Sequence, residues 1–276
     1  MPAFPFILVS PATRGLSLAL TRHYLKHTNL PVYATHRSSL GDDVRSTILS
    51  SFSQQDAVDP ARLNLLHLDL TSEASIQSAA DALSDSLPHD KQSFIHTAFF
   101  TGGILHPEKN PSDLDFDRIQ ETFQLNVISH LLLIKHFSRF LPSAALAKTI
   151  SDDKSSASDQ CKVLSKWVHV SARVGSISDN RLGGWFSYRA SKSALNQVVR
   201  TFDLHLQSKR VPAICVGVHP GTVKTDLSKP FWGGVEKEGK LFPPEFAAEK
   251  LAGVVDRLGY DGRGKVWDWA GKEVKP

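Results

Sequence analysis

Short apolar runs alternate with longer amphipathic stretches along this chain. Runs near 5–10, 31–36, 63–68, 93–98, 166–171 and 211–218 are rich in Val, Ile, Leu and Phe and too short for helices, which predicts strands. Between them, 15–27, 42–52, 72–87, 113–141 and 187–209 carry apolar residues at helical spacing behind polar starts, which predicts helices. A last helix at 245–258 and a last strand at 265–269 follow. Strand followed by helix, repeated, predicts an α/β fold: a doubly wound parallel sheet with helices on both faces and its ligand site beyond the carboxyl ends of the strands. The segment 143–165 breaks this rhythm with the polar run at 151–159 and reads as a surface insertion. The stretch 226–244, with Gly233-Gly234 and Pro243-Pro244, reads as a mobile lid. No repeat at a fixed period and no linker divides the chain, so 1–276 is expected to form one domain.

Composition adds exclusions. The 276 residues are 41% hydrophobic and 22% charged, ordinary for a globular chain. Cys161 and Cys215 are far apart and outside any CxxC spacing, which argues against a disulfide scaffold or a metal ribbon and fits a reducing, cytoplasmic setting. The net charge of +4 is spread among both signs rather than gathered into a stripe, so an anionic small ligand suits it better than nucleic acid. The apolar run 131–134 is broken by Lys135 and His136, far short of a membrane span, and no basic segment precedes the first strand.

Candidate chemistry begins at the first strand-to-helix turn, Ser10-Pro11-Ala12-Thr13-Arg14-Gly15-Leu16-Ser17. Such a turn brings backbone N–H groups to a pyrophosphate at the positive end of a helix. Of the three glycines in a dinucleotide fingerprint Gly15 alone remains; Pro11 removes a donor and Ser17 stands where close helix packing prefers glycine. Arg37 lies 22 positions beyond Gly15, at the end of the second strand, where an acidic residue would take the ribose 2′-hydroxyl of NAD and an arginine suits the 2′-phosphate of NADP. With Arg14 it forms a candidate phosphate clamp; either arginine taken alone reads as a solvated surface residue, but their position at two adjacent strand ends favours the clamp, and NADP over NAD. Asp69, followed by Leu70, ends the third strand and could bind the adenine amino group or cap the next helix. The fourth strand is expected to end at His96-Thr97-Ala98-Phe99, with Ala98 small enough to let a ribose pass.

Tyr188 and Lys192, four apart on a predicted helix, share one face about 6 Å apart along the axis. A lysine ammonium at roughly 6 Å, at an effective dielectric near 20, favours the phenolate by nearly 3 kcal/mol, or about two pKa units. That would bring a phenol that normally titrates near 10 towards acid–base work. A Tyr and a Lys at this spacing also occur by chance on helices with no catalytic meaning.

The order of the motifs is more specific. Tyr188-x3-Lys192, Asn126 within Phe123-Gln124-Leu125-Asn126-Val127, Ser171-Ala172-Arg173-Val174-Gly175-Ser176 and Pro220-Gly221-Thr222-Val223-Lys224-Thr225-Asp226 together resemble the short-chain dehydrogenase/reductase family across nearly the whole chain. The stretches from Gly175 to Trp185 and from Gly264 to Glu273 resemble its C-factor-like and sniffer-like carbonyl reductases. The resemblance implies a Rossmann-type sheet and NADPH-dependent reduction of a ketone or aldehyde, or oxidation of the alcohol. Tyr188 would donate the proton, Lys192 would lower its pKa and hold the nicotinamide ribose, and Asn126 would position a water. In the loop that begins Pro220-Gly221, Val223 would pin the carboxamide, with Thr225 near the diphosphate. The resemblance also implies a homodimer or homotetramer paired through the two longest helices.

Two departures are visible. The serine that polarises the carbonyl in the family reads Ala172 here, which leaves Ser171, with Ser176 as substitute. The family's Asn-Asn-Ala-Gly segment is expected at His96-Thr97-Ala98-Phe99, with a bulky ring in place of glycine. Along with Pro11 and Ser17, this leaves a second expectation open: a catalytically impaired dinucleotide sensor or scaffold on the same fold. The aromatic residues Trp185, Phe186, Phe231 and Trp232, with Phe99, are expected to line the substrate pocket, unless they are ordinary core.

Overall fold

In every central strand, neighbouring side chains are buried on opposite faces, so the sheet needs a layer of helices on each side. The computed structural model describes residues 2–152, 163–237 and 239–276. Eight strands form one sheet: β1 (Ala3–Ser10), β2 (Val32–His36), β3 (Leu63–His67), β4 (Gln92–Phe100), β5 (Ser165–Val170), β6 (Ala213–His219), β9 (Val266–Asp268) and β10 (Glu273–Val274). Their order is β10-β9-β6-β5-β4-β1-β2-β3, parallel except for the β9–β10 hairpin. A separate pair joins β7 (Thr222–Val223) to β8 (Leu241–Phe242).

Phe6, Leu8, Phe100 and Trp167 pack on one face against α3 (Glu73–Ser86), α5 (Ser129–Phe137) and α7 (Phe186–Ser208) through Ile76, Leu133 and Phe202. Ile7, Val9, Phe99 and Val168 pack on the other against α1 (Gly15–His27), α2 (Gly41–Leu49) and α9 (Pro244–Arg257) through Leu20, Ile48 and Leu251. The predicted strands and helices are present with ends shifted by a few residues. Across the sheet the chain order reverses between β1 and β4, which opens a crevice at their carboxyl ends.

Several expectations change. β4 runs on to Phe100 because Phe99 and Phe100 each find a core, so Ala98 lies inside the sheet, paired with Leu8 and Trp167, and is fully buried. Ala98 is therefore no cofactor contact, and Phe99 packs against Tyr24 of α1 rather than lining a pocket. The helix expected over 113–141 is interrupted: α4 (Phe116–Phe123) passes into a π turn at Gln124–Ile128 before α5 begins. Within the supposed insertion, α6 (Ala144–Asp152) is helical and Ser165 already belongs to β5, while 153–162, including Cys161, lie outside the described residues. Part of the 226–244 stretch forms α8 (Trp232–Lys237).

Candidate active site

The phosphate half is built on the turn from β1 to α1. Gly15 sits at φ +53°, and a Cβ there would come 2.8 Å from Thr225 Cγ2, so a side chain is excluded on two counts. This contact brings Gly15 and Thr225, predicted from distant motifs, to one place. The first turn of α1 holds no acidic residue and no side chain caps it, which leaves the positive end of the helix unneutralised. Ser17 fits the packed side of α1 by donating to the Arg14 carbonyl at 2.7 Å. Ser10 is buried and accepts from Thr35 Oγ1 at 2.9 Å, and Leu16 is half-buried.

Arg14 and Arg37 are exposed, and neither forms an ion pair among the described residues. Asp69 caps a turn: its Oδ1 accepts from the Thr71 N–H at 2.9 Å and the Thr71 hydroxyl at 2.7 Å. The backbone bond from Thr71 leads the influences that hold its carboxyl below the usual range, and the Arg37 charge adds to them. The N-cap of α3 itself is Ser72, which accepts from the Ser75 N–H, so Asp69 braces the preceding turn, with Arg37 nearby. A free helix terminus and two unpaired guanidiniums fit a ligand carrying several phosphates.

The glycines that sequence reasoning sought at the end of β4 are Gly102 and Gly103. A Cβ at Gly102 would come 2.5 Å from Leu70 Cδ1, and one at Gly103 would come 3.1 Å from Asn126 Oδ1 and 3.4 Å from Lys192 Nζ. Leu70 therefore supports this strap. The paired glycines immediately after an apolar run were the signal that would have found it.

Tyr188 and Lys192 lie on the inner face of α7, 8% and 3% exposed, with the Lys192 ammonium 5.8 Å from the Tyr188 ring centre. The predicted proximity is present, but its predicted consequence is not: burial pushes the Tyr188 phenol up to about 12 and the Lys192 ammonium down to about 8. Desolvation disfavours both charged forms and outweighs their attraction. Lys192 Nζ donates to the Val170 carbonyl at 3.0 Å. Asn126, held fully buried in the π turn, accepts from Ile104 N–H at 2.8 Å and donates to the Ile104 carbonyl and to Ser191 Oγ, each at 3.0 Å. Ser191 in turn donates to the Tyr188 carbonyl at 2.8 Å. Both Asn126 amide hydrogens are thus committed, and one lone pair of Oδ1 remains for a water.

The candidate serine hydroxyls have hydrogen-bond partners other than Tyr188. Ser171 Oγ donates to Asn196 Oδ1 at 2.6 Å, aimed two turns of α7 beyond Tyr188, and Ser176 Oγ accepts from the Asp179 N–H at 3.1 Å. Neither hydroxyl bonds to Tyr188 or Lys192. The Ser171 hydroxyl, one residue past the end of β5, is thus engaged by Asn196 of α7.

The loop after β6 turns at Gly221, φ +75°, where a Cβ would meet Phe242 at 2.7 Å and Trp269 at 3.1 Å. Pro220 precedes it, and Val223 of β7 is buried and pairs with Phe242. Beyond it, Phe231 packs on Trp185 at 4.8 Å and Trp185 on Tyr188 at 6.2 Å, so two rings from two segments stack in succession onto the phenol. Phe186 points outward, 40% exposed, and Trp232 donates to Ser228 Oγ.

Comparison with known proteins gives the frame for this geometry. No family model matches the chain. The NADPH-bound carbonyl reductase from chicken fatty liver superposes with a TM-score of 0.76 at 25% identity, covering 99% of this chain and all of that one. The carbonyl reductase Sniffer of Drosophila melanogaster superposes with a TM-score of 0.76 at 20% identity over the full length of both, a likeness of fold. A 1-hydroxy-2-glutathionyl-2-methyl-3-butene dehydrogenase of Rhodococcus sp. strain AD45 is 31% identical over 191 residues, 69% of this chain and 70% of the relative. Identity of that degree over so much of both proteins, on a shared fold, makes this chain a member of the short-chain dehydrogenase/reductase family.

Proposed function

We propose that the chain is an NADPH-dependent carbonyl reductase acting on a small ketone or aldehyde, in which Tyr188 is the proton donor. The observation that carries the proposal is the burial of Tyr188 and Lys192 side by side, with Lys192 against the Asn126-bound glycine strap. The chicken carbonyl reductase is described as NADPH-bound, and a Burkholderia multivorans relative as NADP-bound, which supports the same cofactor here. Arg14 and Arg37 would take its phosphates and Thr225 would lie near the diphosphate.

When bound, the reduced nicotinamide supplies hydride to the carbonyl carbon. Tyr188 keeps its proton through neutral pH, because burial holds the phenol up to about 12, and gives it to the oxygen as negative charge develops there. Lys192 sets a positive charge close to that oxygen and to the phenolate left behind. Asn126 fixes the strap and offers its free lone pair to a water. The Trp185 and Phe231 rings exclude bulk water above the phenol, and the 226–244 segment acts as the lid that carries Phe231. Two copies would pair across α4, α5 and α7, where Phe116, Leu131 and Leu204 are exposed. Location in the cytoplasm belongs to the same reading.

The test is NADPH oxidation with a panel of aromatic and aliphatic carbonyl compounds, alongside Tyr188→Phe. The variant should lose kcat by about a thousandfold, within the range for a general acid, and keep NADPH affinity within about threefold. Saturable NADPH binding without turnover by the wild type on any carbonyl would select the sensor reading instead.

A further inference from the structure

Behind the Gly102–Gly103 strap, on the side away from the crevice, lie three polar side chains with no solvent exposure: His130 on α5, and Trp167 and His169 on β5. Trp167 Nε1 contacts His169 Nε2 at 2.9 Å, the two Nδ1 atoms of His169 and His130 are 2.7 Å apart, and His130 Nε2 lies 3.0 Å from the Gly102 carbonyl oxygen. All four ring nitrogens are therefore engaged. An indole N–H can only donate, so His169 Nε2 accepts and the His169 proton sits on Nδ1. That proton can go only to His130 Nδ1, which places the His130 proton on Nε2, directed at Gly102. No other assignment satisfies the three contacts, and a proton added to either ring breaks one of them. Burial keeps both imidazoles below their usual range, and the Lys192 charge adds to this.

We infer that His130 and His169 are positioning residues: a one-way hydrogen-bond chain from Trp167 that ends on the Gly102 carbonyl and fixes the glycine strap on which the nicotinamide half of the dinucleotide would rest. The π turn that leads into α5 grips the chain just beyond the strap, four residues before His130, where Asn126 holds both backbone groups of Ile104. Gly102 faces Leu70 and Pro11, and Gly103 faces Lys192, so the strap divides the phosphate half of the site from the catalytic half. The chain ends on a carbonyl, which accepts a hydrogen bond but passes no proton on, so it holds geometry rather than relaying protons.

This inference rests on the proposed dinucleotide site, and two measurements separate their failures. Imidazole nitrogen NMR, assigned with His130→Gln and His169→Gln, should find His169 protonated at Nδ1 and His130 at Nε2, neither titrating between about pH 5 and 8. The opposite tautomers, or titration of either ring, overturn the inference whether or not any cofactor binds. Glutamine offers one acceptor and a donor and can keep the direction of the chain, whereas leucine cannot. His130→Leu should weaken NADPH binding on the order of tenfold, and His130→Gln should restore it to within about twofold. A folded His130→Leu with unchanged NADPH affinity, or a folded His130→Gln as weak as the leucine variant, refutes it. If the leucine variant does not fold, the glutamine variants and the nitrogen shifts decide. Wild-type protein that binds no NADPH removes the proposed function and leaves the NMR result to judge the hydrogen-bond chain.

Discussion

Replacing Lys192 by methionine should abolish reduction and stabilise the fold. The ammonium is 3% exposed and, among the described residues, bonds to one carbonyl, that of Val170. Burial takes its pKa from the ordinary 10.5 to about 8. At 1.36 kcal/mol per unit, holding the charged form inside the protein at neutral pH costs about 3 kcal/mol. Methionine matches the stem and carries no charge. It leaves the Val170 carbonyl without its donor, which returns about 1 kcal/mol, so the net gain is about 2 kcal/mol and a few degrees in Tm.

The sign of the pH dependence follows. Below pH 8 both folded and unfolded Lys192 carry the proton, and the full cost is present. Between about 8 and 10.5 the unfolded chain still binds a proton that the folded protein has released, so wild-type stability rises through this window relative to the variant. Above it neither form is charged and the cost is gone. Urea unfolding of both proteins across this range, plotted as a difference, isolates Lys192 from all other groups. A variant less stable than wild type at pH 7, or a difference that does not change with pH, would refute the claim that this charge is held at a cost.

Four further outcomes are expected. Arg37→Ala should lower discrimination between NADPH and NADH by roughly tenfold to a hundredfold, read from the two Kd values, because it removes a charge-assisted contact to the 2′-phosphate. Ser171→Ala should leave kcat within about threefold while costing about 1 kcal/mol of stability, since its hydroxyl serves Asn196; Ala172→Ser should raise kcat on the order of tenfold by restoring a donor at the family's position. In the pH profile, reduction should hold steady up to about pH 8 and decline above it as Lys192 loses its charge, whereas alcohol oxidation, which needs the phenolate, should increase with pH.

The elements were legible because period and length are local properties: a two-residue alternation buried on both faces leaves little choice but a covered parallel sheet. What the periodicity could not locate was the end of β4. Phe99 and Phe100 look like a terminus crowded by rings, yet each fits a core on its own side of the sheet, so the strand continues and the glycines arrive later. The π turn that inserts Asn126 has no local sequence signature either, since it is imposed by what the residue must reach on Ile104.

The same division explains the chemistry. The placement of Tyr188 and Lys192 on one face follows from the geometry of a single helix, and the Lys192 ammonium does lie over the Tyr188 ring. Their proton affinities depend on everything packed around that helix, and burial reverses the inferred direction for the phenol. This reversal bears on the protonation state in which the pair would meet a substrate. A tyrosine pulled towards neutrality would serve donor and acceptor roles alike, whereas one held near 12 beside an ammonium near 8 keeps its proton until a developing alkoxide takes it. On the proposed mechanism the buried pair would therefore enter at neutral pH as a neutral phenol beside an ammonium, the form that reduction requires.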